Sequence, residues 1–101
     1  MSNPTLVCLP EDDCMHPNTG EPTFNESAYF NFYDPAVRLG GFVRLGNRPN
    51  EAYAEMTLCL YLPDGRVAFM FKRPAIEGND RHDAGGMRFV THTPMRTHAV
   101  E

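Results

Sequence analysis

The fold is decided by residues 29–72, which read "YFNFYDPAVRLGGFVRLGNRPNEAYAEMTLCLYLPDGRVAFMFK". Aromatic and aliphatic side chains recur along this stretch with a period of two, which is typical of half-buried β-strands. Three turn signals interrupt the alternation: "YDPA", "GNRPNE" and "LPDGR". Proline at a turn corner and an Asp-Gly pair both favour tight connections between antiparallel strands. The stretch therefore predicts a four-stranded antiparallel meander.

Each turn, if it closes symmetrically, predicts the register of the two strands that it joins. A one-residue slip would move a strand's side chains to the opposite face of the sheet. All three registers place aliphatic and phenylalanine side chains on the same face, called the aliphatic face below. The predicted pairs are Phe32 with Val37, Phe30 with Leu39, Val43 with Met56, Leu39 with Leu60, Leu62 with Val67, Leu60 with Phe69, and Leu58 with Phe71.

The opposite face, called the mixed face below, combines rings with polar groups. Its predicted members are Tyr29, Asn31, Tyr33, Arg38, Phe42, Arg44, Tyr53, Glu55, Thr57, Cys59, Tyr61, Met70 and Lys72. The same registers pair Arg44 with Glu55 and bring Asn31 near Arg38. A solvated face would carry more Lys, Glu and Ser, so this face either packs under another element or contacts a ligand. The ligand-binding candidates are Tyr29, Asn31, Phe42, Arg44, Tyr53 and Tyr61.

The remaining chain is organised around this sheet. Residues 1–25 carry four prolines and no regular period, which predicts an extended N-terminal arm. Residues 26–101 form the antiparallel β domain, with a loop at 74–86 and a short strand near 87–91. Gly40-Gly41 predicts a bulge or bend in the second strand, which favours a curled sandwich or part of a barrel. Because a ligand-holding barrel takes about eight strands, we expect the domain to be incomplete without further β structure.

Composition limits the function classes. The chain has 101 residues, 42% of them hydrophobic and 22% charged, which suits one globular domain. Its net charge is −4 and no Lys/Arg cluster is present, which argues against nucleic acid or an anionic membrane surface as a partner. No apolar run approaches the roughly 20 residues of a membrane span. Three cysteines at irregular spacing and no signal-peptide pattern predict a reduced, cytoplasmic protein.

The candidate catalytic residues are Glu26, Glu55 and His82. The two glutamates belong to a charged set completed by Arg44, Arg48 and Glu51, which predicts either a structural ion-pair network or an acid–base site beside a pocket.

His82 lies in "NDRHDAGG" between Asp80 and Asp83, where it is either a general base or part of a solvated turn with Gly85-Gly86. For His92 and His98 we expect only surface roles.

Metal and cofactor signals are weak. Cys8, Cys14 and His16 are possible soft ligands, but their spacing fits no standard zinc module, so no metal is predicted. The sequence contains no glycine-rich phosphate loop, no G-x-S-x-G and no H-E-x-x-H, and we expect no cofactor.

Three segments carry a family resemblance: "FNESAYFNFYDP", "GGFVRLGNRPNEAYAEMTLCLYLPDGRVAFMFKRP" and "ND" followed by "GGMRF". They resemble the opening of an uncharacterised bacterial lipocalin-like family, related to carotenoid 1,2-hydratases, AttH-like proteins and fungal Diels–Alderases. Glu26, Tyr29, Phe30 and Asn31 match the motif that opens the first barrel in those relatives. The resemblance covers about residues 16–95. It implies the N-terminal portion of a two-domain protein that handles a terpenoid-, polyketide- or lipid-like molecule.

Three functions therefore stay open. The first is a lipocalin-like domain that binds a hydrophobic small molecule. The second is an enzyme of hydratase, isomerase or cyclase type that uses a pocket carboxylate. The third is a structural half-domain that docks a second β domain or another subunit through its mixed face.

Overall fold

The computed structural model of the protein describes residues 9–101, which form two antiparallel sheets. The first sheet has the order β1-β2-β3-β4 and the second has the order β5-β6-β7. The all-β antiparallel meander predicted from the sequence is confirmed, and the two sheets are not closed into a barrel. The strands are β1 (Glu26–Asp34), β2 (Leu39–Arg48), β3 (Tyr53–Tyr61), β4 (Val67–Lys72), β5 (His82–Ala84), β6 (Met87–Thr93) and β7 (Thr97–Val100). Two 3₁₀ turns, Pro10–Asp13 and Pro49–Glu51, complete the regular elements of the described residues.

The registers of the first three strands are displaced from the prediction by an even number of residues. Phe30 pairs with Val43 instead of Leu39, and Val43 pairs with Leu58 instead of Met56. The β1–β2 connection occupies residues 35–38 and so lies further along the chain than a turn centred on Asp34-Pro35. An even displacement leaves every side chain on its predicted face.

The displacement does change the cross-strand partners on the mixed face. Arg44 lies opposite Thr57, so its predicted pairing with Glu55 is wrong. Asn31 lies opposite Phe42, while Arg38 sits in the connection with φ 53°.

In β4 the predicted register is wrong by an odd number. Leu60 pairs with Ala68, where Phe69 was predicted. The hairpin closes with a hydrogen bond from the Leu62 N–H to the Arg66 carbonyl at 2.8 Å, which leaves three residues in the loop, and Gly65 adopts φ +90°. A three-residue loop with a left-handed glycine is a standard hairpin connection. It turns Phe69 and Phe71 to the mixed face, and it turns Met70 and Lys72 to the aliphatic face.

The hydrophobic core lies where the second sheet covers the aliphatic face. Leu45 and Ala54 are fully buried there. The core cluster consists of Val43, Leu45, Ala54, Met56, Ala84 and Met87, with Phe30, Leu58, Ile76 and Phe89 packed against it. The other end of the first sheet carries the β1–β2 and β3–β4 turns, and we call it the hairpin end. There Phe32 is 44% exposed and Phe69 is 65% exposed. The Cα radius of gyration is 16.0 Å, against about 13 Å for a compact domain of this length.

Gly40-Gly41 lies in an unbroken ladder. Both glycines pair in register with β1 and β3, so the predicted bulge is absent. A Cβ on Gly41 would lie 2.2 Å from the carbonyl oxygen of Cys59 and 3.2 Å from the Phe32 ring. Close backbone approach therefore explains the glycine at position 41.

The segment predicted as a loop at residues 74–86 contains strand β5. Its turn to β6 uses Gly85 at φ +64° and Gly86 at φ +86°, the left-handed conformation expected for this glycine pair. The strand predicted near residues 87–91 is present as β6, whereas β7 was not predicted.

Residues 14–25 contain no helix or strand. Asn18 and Asn50 exchange amide hydrogen bonds of 2.7 and 2.8 Å, which attach this part of the arm to the β2–β3 connection. Within residues 9–101, no helix is long and apolar enough to cross a membrane. Residues 1–8, which include Cys8 and the start of the predicted arm, lie outside the described residues.

Candidate functional site

A cavity of about 510 Å³ lies between the arm, strand β1 and the second sheet. We call it the histidine cavity, because three histidines from distant parts of the chain line it. Its apolar walls include Met15, Ala28, Phe30, Phe89, Val90 and Pro94. Its polar lining includes Asp13, His16, Glu26, Asp80, Arg81, His82, Arg88 and His98.

His16 and Glu26 form a paired group at the edge of this cavity. The Nδ1 atom of His16 lies 2.8 Å from Oε1 and 3.0 Å from Oε2 of Glu26, and the His16 main-chain N–H donates to Oε1 at 2.6 Å. The Glu26 side chain is 14% exposed, while His16 is 48% exposed. Because an ionised carboxylate only accepts hydrogen bonds, Nδ1 carries the proton, and Nε2 of a neutral ring keeps its lone pair.

His82 is held on the floor of the cavity. It is buried, and its Nε2 lies 3.0 Å from the main-chain carbonyl oxygen of Glu26. A carbonyl accepts only, so Nε2 donates and Nδ1 of the neutral ring is an acceptor. Burial alternates along β5, with His82 and Ala84 buried and Asp83 exposed. The solvated turn predicted for His82 is therefore wrong. The His82 ring is hydrogen-bonded to the Glu26 carbonyl group and not to the flanking carboxylates.

A third histidine joins the arm to the β6–β7 hairpin. The His98 Nε2 lies 2.6 Å from Oδ2 of Asp13, which also accepts the main-chain N–H of Met95 at 2.5 Å. The hydrogen bond from Met95, followed by that from His98, lowers the pKa of Asp13 below its ordinary value of 3.8. The surface role expected for His98 is wrong, because this side chain is half-buried and holds the arm in place.

Aromatic rings separate the polar groups of the cavity. Phe30 and Phe89 meet edge to face with their centroids 5.0 Å apart. The His98 ring lies 5.5 Å from Phe30, and the His82 ring lies 6.0 Å from Phe89. Phe30 and Phe89 thus lie beside two of the histidines in the cavity lining.

Asn47 positions the segment that leads into β5. It is 1% exposed, and its Nδ2 donates to the Arg81 carbonyl at 2.8 Å and to the Asn79 Oδ1 at 3.2 Å. Its own Oδ1 is buried with no hydrogen-bond partner among the described residues. Asn47 also pairs with Glu26 in the β1–β2 ladder. One buried amide therefore connects the strand carrying Glu26 with the segment carrying His82.

Glu55 lies apart from Glu26, on the mixed face. It accepts from Arg48 Nη1 at 3.2 Å, and Arg73 Nη2 lies 3.8 Å from its other oxygen. Arg48 also donates to Glu51 at 3.1 Å. The charged set predicted from the sequence is therefore divided between two faces of the sheet.

The six ligand-binding candidates are also divided. Four of them, Tyr29, Asn31, Phe42 and Tyr61, line a shallow open groove on the mixed face. Tyr29 and Phe42 stack there with their centroids 5.5 Å apart, and the neighbouring Cys59 raises the pKa of Tyr61 above its ordinary value of 10.0.

The other two candidates lie outside the groove. Arg44 folds over Gly46, with Nη2 2.8 Å from the position of an added Cβ. Tyr53 donates its hydroxyl to Glu51 at 3.2 Å and lies under the guanidinium groups of Arg48 and Arg73.

The histidine cavity was missed from the sequence because its parts are far apart in the chain. Asp13 and His98 are separated by 85 residues. No local spacing signals such a pair. Across the part of the chain that the structure describes, no group of three or more His, Cys, Asp or Glu side chains is arranged to hold a metal ion.

The fold and the cavity define a class: an antiparallel two-sheet β domain with a histidine-lined cavity between its sheets and an N-terminal arm. The chain belongs to the family described as a domain of unknown function (DUF7064), which matches residues 9–101. Comparisons with curated proteins and with solved structures found no match.

Proposed function

We propose that this domain binds a hydrophobic small molecule in the histidine cavity. The supporting observation is the combination of size and lining: about 510 Å³, with apolar walls around Phe30 and Phe89. Small-molecule sites in proteins occupy about 300–1,000 Å³, and a few convergent polar groups orient the ligand within an apolar lining. A terpenoid-, polyketide- or lipid-like molecule fits this description.

The three histidines add a chemical requirement to the ligand. Each has one ring nitrogen engaged by Glu26 or Asp13, and the neutral ring then keeps an acceptor at the other nitrogen. A ligand with an apolar body and one or two hydroxyl groups would satisfy such acceptors. A pure hydrocarbon would displace water from them without replacing its hydrogen bonds, which is costly.

Binding is tested by filling the cavity. Ala28 lines it from β1, so Ala28→Phe should exclude a ligand, while Ala36→Phe makes the same change in the exposed β1–β2 connection. With the neutral fluorophore N-phenyl-1-naphthylamine as probe, we expect Ala28→Phe to weaken binding at least about tenfold, which is 1.4 kcal/mol. Equal affinities for both variants and the unmodified chain, with folding checked by circular dichroism, would contradict a ligand in this cavity.

A second candidate function is acid–base catalysis of hydratase, isomerase or cyclase type. It is favoured by the pairing of His16 Nδ1 with the Glu26 carboxylate at 2.8 Å. A carboxylate that accepts a hydrogen bond from the Nδ1–H group orients the ring, so that Nε2 can remove a proton from a bound molecule. Glu26 then acts as the orienting group, and His16 or His82 acts as the base.

Catalysis is tested on whichever molecule co-purifies with the chain. If that molecule is converted, Glu26→Gln should lower kcat by about 10²-fold or more, in the range of general acid–base contributions. Glu55→Gln is the matched control, because we assign Glu55 a structural role with Arg48 and Arg73. Unchanged turnover in Glu26→Gln would remove Glu26 from the mechanism.

We extend the proposal to the family relationships that the sequence suggests. A lipocalin-like origin, related to the carotenoid 1,2-hydratase superfamily, is supported by the antiparallel meander and by a cavity against its aliphatic face. A second β domain or a further subunit would supply the strands that a closed barrel needs. A cytoplasmic location is supported by Cys14 and Cys59, which form no disulfide among residues 9–101.

A further inference from the structure

Strand β4 is an outer strand of the first sheet, and its far edge has no partner among the described residues. All six of its residues, Val67–Lys72, are exposed. Natural sheets protect such edges with proline, bulges, inward charges or very short strands. The edge strands of the second sheet are short, with three residues in β5 and four in β7. The sequence "VAFMFK" of β4 has none of these protections before its final lysine.

The side chains around this edge are large and apolar. Tyr61 is 50% exposed, Phe69 65% and Phe71 45%, all on the mixed face, while Met70 is 43% exposed on the aliphatic face. At such exposures, each ring presents on the order of 100 Å² of surface. Together with Val67, the edge presents roughly 500 Å² in each copy of the chain, and two copies would approach the lower limit of about 1,000 Å² for a specific interface.

The strand is complementary to itself. When two copies run antiparallel about Met70, Phe69 lies opposite Phe71 of the partner copy, and Ala68 lies opposite Lys72 of the partner copy. Aromatic cross-strand pairs stabilise sheets. Centring the pair on Phe69 instead would place Arg66 opposite Lys72 of the partner copy, and like charges directly opposite are destabilising. The charges at the two ends of β4 therefore favour the register centred on Met70 over the one centred on Phe69.

We propose that two copies of this chain pair antiparallel through β4, about a two-fold axis at Met70, and form one continuous eight-stranded sheet. The interface is isologous, as in most homodimers. Its modest area predicts a dimer that dissociates on dilution. The histidine cavity lies beside β1, at the opposite edge of the first sheet from β4, so we expect dimerisation to be independent of ligand binding.

A cysteine on the axis tests the register. In a Cys8→Ser, Cys14→Ser background, Met70→Cys places two thiols opposite each other, with Cβ atoms about 4.5–5.5 Å apart, close enough for a disulfide after a small adjustment. Ala68→Cys is the matched control, because its two copies would be separated by four residues along the strand, about 13 Å. Mild oxidation should cross-link Met70→Cys into a dimer and leave Ala68→Cys monomeric. No cross-link, or equal cross-linking of both variants, would overturn the proposed axis.

The association itself is measured by sedimentation velocity over a range of concentrations. The unmodified chain should show a concentration-dependent dimer. Met70→Lys should raise its Kd about tenfold or more by placing two charges opposite each other. Val37→Lys makes a comparable change at an exposed residue of the β1–β2 connection and should leave Kd unchanged. A chain that stays monomeric at all concentrations, even if its edge binds an unrelated strand, would overturn pairing between copies.

Discussion

The two ends of the first sheet are built from the same strands with the same alternation, but they differ in what covers them. At one end the second sheet buries Leu45 and Met56 on the aliphatic face, and the arm lines the histidine cavity beside β1. At the end with the β1–β2 and β3–β4 turns, Phe32 on the same face is 44% exposed, and Met70 on the edge strand β4, opposite Leu58, is 43% exposed. Alternation in the sequence therefore defines two faces, and only tertiary packing decides which part of each face becomes core.

We propose different roles for these two parts of the sheet. The covered end combines a rigid core with buried polar groups, which are the requirements of a small-molecule site. The part of the first sheet that the second sheet leaves uncovered presents rings and the outer edge of β4, which has no partner strand among residues 9–101; such features occur at protein–protein interfaces.

The largest expected contrast in the free energy of unfolding comes from one substitution made both in the core and in the edge strand β4. Met56→Ala removes a side chain that is 2% exposed and should lower the free energy of unfolding by about 2–5 kcal/mol. Met70→Ala is the same change on the same face in the edge strand β4, where the side chain is 43% exposed, and its effect should stay within about 0.5 kcal/mol. Urea denaturation at a concentration low enough to keep the chain monomeric measures both. Similar losses of unfolding free energy for the two variants would show that Met70 in β4 is packed as tightly as Met56 in the core.

A smaller contrast separates two asparagines on neighbouring strands. Asn47→Ala removes a buried side chain and leaves the Arg81 carbonyl without its donor, which should cost about 1–3 kcal/mol. Asn31→Ala changes an exposed amide on the mixed face and should stay within about 0.5 kcal/mol. Thermal unfolding of both variants gives the comparison. If Asn47→Ala is as stable as the unmodified chain, the segment before β5 does not depend on this amide.

The smallest expected effect is local and depends on pH. Asp13 has a pKa below its ordinary value of 3.8 because it accepts hydrogen bonds from Met95 and His98. The contact between the arm and the β6–β7 hairpin is therefore fully present above about pH 3.8, and it is lost as the pH falls through the lowered pKa of Asp13. The NMR shift of the Met95 amide proton should titrate with a midpoint below 3.8, and Asp13→Asn should abolish this titration.

Asp64→Asn, in the distant β3–β4 hairpin, is the control and should leave the Met95 midpoint unchanged. A midpoint at or above the ordinary value in the unmodified chain would show that Met95 and His98 do not stabilise the Asp13 carboxylate.

The sequence predicted the meander because three turn signals and a period of two agreed with one another. The faces of β1, β2 and β3 followed correctly, since the turn positions were wrong only by even displacements. For β4 the prediction failed because a three-residue loop and a four-residue loop look alike in "LPDGR", and only the left-handed Gly65 separates them. A single residue of loop length decided whether Phe69 and Phe71 lie on the aliphatic face or on the mixed face.

The candidate site was predictable only in fragments. Glu26 and His82 were chosen for separate reasons, and the structure brings them together through the hydrogen bond from His82 to the Glu26 carbonyl. Asp13 and His98 were not predicted, because contacts between chain ends leave no local pattern. Glu55 carried the same sequence signal as Glu26 but lies on the other face with Arg48 and Arg73.

The central claim is that the histidine cavity holds a small molecule, and native mass spectrometry of the purified chain tests it most directly. The unmodified chain and Ala36→Phe should both carry a bound species that denaturation releases, and Ala28→Phe should carry none. The same bound species on all three proteins, or none on any of them, would contradict the claim.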